Sequence, residues 1–85
     1  MTAAEESRLR ITLLQTLRAA GALGLPEGEL VNAARLAGFD VTLPELMPVL
    51  RNLVQDGLVS RLDTITGRRA RLTDLGADKL REAGL

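Results

Sequence analysis

Cysteine, histidine, tryptophan and tyrosine are all missing from this 85-residue chain, and Phe39 is its only aromatic side chain. Without cysteine there can be no disulfide, no thiolate metal site and no cysteine nucleophile. Without histidine, the usual general base near neutral pH is absent, along with the commonest transition-metal ligand. Ser7 and Ser60 are the only serines, and neither lies in a Gly-x-Ser-x-Gly setting. Gly21, Gly24 and Gly28 form a glycine-rich stretch, but no Gly-Lys-Ser/Thr follows it, so they read as loop and helix-start glycines. The carboxylates are scattered and lack calcium-loop spacing. No enzyme activity, cofactor or metal site is expected. Long apolar runs are missing too: the first ten residues lack a signal-peptide core, and no segment is apolar enough to span a bilayer. The expectation is a cytoplasmic protein with no membrane attachment.

Net charge is absent as well, with eleven Lys and Arg against eleven Asp and Glu. That counts against nucleic acid, since phosphate binding ordinarily leaves a basic excess. The distribution is uneven, however. Between Gly21 and Asp56 five acids outnumber two arginines, whereas from Gly57 to Leu85 six cations meet four acids. The positive charge gathers on one short stretch, Arg61 to Arg71.

What the chain does have is aliphatic periodicity. Thr2, with Glu5 three residues on, opens a helix over 3–20, with Ser7 as a competing start. Leu9, Leu13, Leu17 and Ala20 form its core stripe, Leu14 sits near the edge, and Ile11 lies far around the helix. A second helix fits 26–37, with Pro26 as its first residue and Leu30, Ala33, Ala34 and Ala37 as a small-residue face. Phe39 in the following turn is expected to plug the angle between helices; a ligand-facing role is the alternative. A third helix covers 43–56, capped by Thr42 and Glu45. Leu43, Leu46, Met47, Leu50, Leu53 and Val54 are its inward set, and Pro44, Glu45, Pro48, Val49, Arg51, Asn52 and Gln55 face outward. Pro48 leaves two options: an irregular first turn, or a regular helix that begins at Pro48. Alternation at period two then predicts strands over 58–63 and 68–72 around Thr64-Ile65-Thr66-Gly67, and Thr73 caps a last helix over 74–83. All of this makes one mainly α domain with a small β-hairpin.

The segment LRNLVQDGLVSRLDTITGRRARLTDLG, Leu50 to Gly76, carries a further signal. Its pattern, L-x-x-L-x-x-x-G-L-V-x-R followed by G-R-R-x-x-L-T-x-x-G, resembles the end of winged helix-turn-helix domains of the MarR, PadR or ArsR type. The resemblance extends over nearly the whole chain from Arg8 onward. It implies three helices, a two-stranded wing and a short C-terminal helix, with the third helix in the recognition position. It also implies a transcriptional regulator that binds double-stranded DNA, most often as a homodimer.

On that reading Arg68 and Arg69 stand at the wing tip, where they would meet the phosphate backbone or the minor groove, with Arg61 and Arg71 on the strands behind. Arginine suits both tasks, because its planar fork binds phosphate bidentately and its charge favours a narrow groove. Thr42, Arg51 and Asn52 are the candidates on the third helix. Ile11, Leu80 and Leu85 are the candidates for a dimer interface. The competing expectation is a winged helix that binds another protein, drawn from the acidic third helix with Pro44, Pro48 and Val49 outward.

Overall fold

The computed structural model describes residues 1–85. Helix α1 (Ala3–Ala20) starts at Thr2, not Ser7: the Thr2 hydroxyl accepts from the Glu5 amide at 3.1 Å, which meets one of the orphan donors of the first turn. Leu9, Leu13, Leu14 and Leu17 are buried, so the stripe is wider than Leu9, Leu13 and Leu17 alone. A wide stripe is what a central helix needs, and α1 packs against every other helix and against the sheet.

A single 3-10 turn (Gly21–Leu23) leads into a strand that the sequence does not announce, β1 (Leu25–Pro26). Two residues are too few to show alternation, and this strand exists because of its partner. Leu25 pairs with Ala70 and Pro26 with Arg69. Proline is tolerable there because β1 is an edge strand with no further neighbour to receive its missing N–H. Pro26 is therefore extended (φ −57°, ψ 147°) and stands just before helix α2 (Glu27–Leu36) instead of within it. The helix buries Leu30, Val31 and Ala34 and leaves Ala37 exposed, so the expected small-residue face is rotated toward Val31.

In the connector, Phe39 is half-buried against the core, and the Arg8 guanidinium lies 5.8 Å from its ring centroid. Helix α3 (Leu43–Gln55) runs unbroken through Pro48, so the helix does not begin at that residue. Burial of Leu46, Val49, Leu50 and Leu53 along one side outweighs the donor that Pro48 withholds from the carbonyl four residues back. The buried arc is centred between Leu46 and Leu53. It therefore takes in Val49, which is 4% exposed, and leaves Leu43 at the rim, 41% exposed, reversing the expected places of these two. Pro48→Ala restores the missing donor and is expected to raise the calorimetric midpoint, with a gain of about 1 kcal/mol after allowing for the looser unfolded chain. A lowered midpoint would show that the ring packs better than the bond it removes.

Strands β2 (Val59–Thr64) and β3 (Gly67–Leu72) form an antiparallel hairpin about the two-residue turn Ile65-Thr66, and the sheet order is β1-β3-β2. Helix α4 (Asp74–Glu82) closes the domain. Its cap, Thr73, accepts from the Gly76 amide at 3.0 Å and donates to the Gly57 carbonyl at 2.6 Å, tying α4 to the end of α3. The architecture is mainly helical with a small three-stranded antiparallel sheet, and no helix is long and apolar enough to cross a membrane.

Candidate nucleic-acid interface

The register of the hairpin decides where each arginine points, because successive side chains alternate between faces. Arg61 lies opposite Ala70 and Asp63 opposite Arg68; Leu62 lies opposite Arg69 and Ser60 opposite Arg71. Val59 and Ala70 are buried, so the face they share with Arg61 is the one that meets the core.

Arg61 is accordingly drawn inward. It donates to both Glu27 carboxylate oxygens, at 2.7 and 3.1 Å, with the two side chains only 21% and 12% exposed. Its role is to hold β2 against the start of α2, and it is not free to meet a phosphate as the sequence suggests. Arg69 is also engaged within the domain: Nε donates to the Leu23 carbonyl at 3.0 Å and Nη2 to the Gly24 carbonyl at 3.2 Å. These bonds satisfy the backbone where the 3-10 turn enters β1, which removes Arg69 from the tip contacts expected of it.

Arg68 is different. It pairs with Asp63 at 3.0 Å, but the partners are 59% and 82% exposed. Exposed pairs of this kind contribute about 0–1 kcal/mol, so a phosphate can displace the carboxylate. Arg71 is exposed and makes no hydrogen bond or ion pair. It lines a cleft of about 540 Å³ with Leu17, Arg18 and Ser60, whose hydroxyl is buried without a partner.

On α3, the helical period places Pro44, Pro48, Arg51 and Gln55 along one exposed stripe with Glu45 and Asn52 beside it. Arg51 has no partner, and Asn52 is exposed. Thr42 is committed to the cap: its hydroxyl donates to Glu45 Oε1 at 2.9 Å and its amide to the same oxygen at 3.1 Å. The Thr42 hydroxyl, then the Thr42 amide, hold the Glu45 carboxyl below its ordinary pKa. Glu45 therefore stays ionised on this exposed part of the helix and would oppose any phosphate brought to it.

The dimer candidates separate. Ile11 and Leu85 are exposed, but Leu80 is buried in the domain's own core and has no surface to offer a second subunit. Its position on α4 explains this, since Leu80 and Gly76 lie one turn apart on the side facing the core.

Glu27 and the carbonyls of Leu23 and Gly24 are the groups the sequence reading missed, and no local pattern links them to arginines 34, 45 and 46 positions away. Comparison of the chain with protein-family models, with curated proteins and with solved structures finds no match in any of the three.

Proposed function

We propose that this chain is a winged helix-turn-helix domain that binds double-stranded DNA chiefly through its backbone and with little base reading. The order helix, strand, helix, helix, strand, strand supports the fold reading, as does the pairing of β1 with β3 rather than β2. The observation that carries the functional reading is narrower: Arg51, Arg68 and Arg71 are the three arginines of the helix and hairpin whose guanidinium groups are exposed and not bound to buried or backbone partners. If these three side chains are the contacts, one copy neutralises three phosphates. The affinity should then fall with a log–log salt slope of about −3, far shallower than that of extensively contacting repressors.

Titration of random-sequence duplex at several salt concentrations tests this. Arg51→Ala/Arg68→Ala is expected to weaken binding and flatten the slope by about two units. The reading fails if wild type does not bind at low salt, or if the double variant binds equally well.

A specific observation favours a second reading, a protein-interaction module. The exposed stripe of α3 carries two prolines, which offer no donors, beside the ionised Glu45, and Leu36 at the end of α2 is almost fully exposed. Absence of duplex binding in the same titration would leave this reading in possession.

A further inference from the structure

Ile65 is fully exposed, at 106% of a reference residue, and stands at the very tip of the β2–β3 hairpin. We propose that Ile65 is an apolar wedge that enters the minor groove of duplex DNA and partly unstacks a base step; this rests on the DNA-binding reading above.

Neither Ile65 nor Thr66 takes positive φ, so the turn is not one of the primed types that demand Gly, Asn or Asp at its centre; the positive φ falls on the next residue, Gly67, at 123°, which glycine accommodates. The loop is also held by side chains. The Thr64 hydroxyl donates to the Gly67 carbonyl at 2.7 Å and lies 3.2 Å from the Thr66 hydroxyl. Nothing in the turn geometry calls for an isoleucine at its centre, and the braced loop holds that side chain fully in solvent.

Shape and charge choose the partner. One aliphatic side chain, flanked by the small polar Thr64 and Thr66, protrudes from a narrow two-stranded ribbon. A broad apolar surface in a protein or a lipid layer would call for neighbouring apolar side chains, and the tip has none beside Ile65. A groove about 6 Å wide suits a single wedge. Arg68, one step behind the tip and tied only by its exposed pair with Asp63, is placed to take a phosphate at the groove's edge. Isoleucine is among the side chains that proteins insert between base steps, and pyrimidine–purine steps open most easily.

The test uses the full chain and a duplex with a TA step carrying 2-aminopurine, whose fluorescence rises on unstacking, with an energy-transfer pair on the duplex ends to report bending. At low salt, saturating wild type is expected to raise the fluorescence several-fold and draw the ends together. Ile65→Ala is expected to bind within a few-fold of wild type and lose both signals, and Ile65→Leu to regain them. Saturation without a rise in wild type, or an equal rise with Ile65→Ala, overturns the wedge while leaving DNA binding intact. Should Ile65→Ala bind too weakly to saturate, Ile65→Leu decides: a rise supports the wedge and its absence overturns it. If wild type fails to bind at low salt, the DNA reading and the wedge fall together.

Discussion

Gly24→Ala is expected to lower the thermal midpoint by tens of degrees or to prevent folding altogether. Two independent penalties meet at this residue. Its backbone sits at φ 64°, ψ −158°, a region essentially reserved for glycine. A Cβ there would also lie 2.0 Å from the Ala70 carbonyl oxygen and 2.9 Å from the Arg71 Cβ. The first obstacle is backbone in the middle strand of the sheet, so neither a rotamer change nor a small shift relieves it. Strain and overpacking together are expected to cost about 3–5 kcal/mol. A domain of this size has a total stability of roughly 4–13 kcal/mol, so the variant should sit near the edge of folding. Gly28→Ala is the control. No atom lies within 4 Å of a Cβ at Gly28, in the first turn of α2, so that variant should be neutral or slightly stabilising. Differential scanning calorimetry of the pair decides. Equal midpoints would mean that β1 does not lie against β3 as described.

Gly24 also marks the boundary of what the sequence reveals. Elements long enough to repeat their own period were legible: the leucines of α1 and α3, the alternation of β2 and β3, and the caps at Thr2, Thr42 and Thr73 all leave local patterns. The strand Leu25–Pro26 leaves none, because two residues cannot alternate and its identity depends on a partner 45 positions away, Leu25 opposite Ala70. The same limit applied to the candidate site. Arginine-rich composition singled out the hairpin as the candidate site, but composition is blind to acceptors supplied from elsewhere in the chain. Glu27 and the carbonyls of Leu23 and Gly24 bind Arg61 and Arg69 and turn two expected DNA contacts into structural ties. On α3 the error was one of phase. Val49 and Leu43 are both aliphatic and lie on opposite flanks of the buried arc, so only the direction of the neighbouring elements decides which is covered.

Leu50→Ala is expected to produce the second large loss, and it separates stability from function on a single helix. Leu50 is completely buried in α3, within the same cluster as Leu46, Leu53 and the α1 leucines. Removing its isobutyl group forfeits transfer free energy and leaves a cavity that packed neighbours fill only partly, at a cost of about 2–5 kcal/mol. In a chain of this length each kcal/mol moves the midpoint by about 4–8 °C, so a fall of at least ~8 °C should be seen. Arg51, the next residue, is exposed and unpaired, and Arg51→Ala should leave the midpoint within a degree or two. If the proposed function holds, that silent variant is the one that weakens duplex binding, because it deletes the only cation of α3 without disturbing the helix. Thermal melts and duplex titrations of both variants therefore give a crossed pattern: stability lost at position 50, binding lost at position 51. A small stability change at Leu50 would contradict its burial. Undiminished binding by Arg51→Ala would remove α3 from the DNA contact and leave the hairpin to carry it alone.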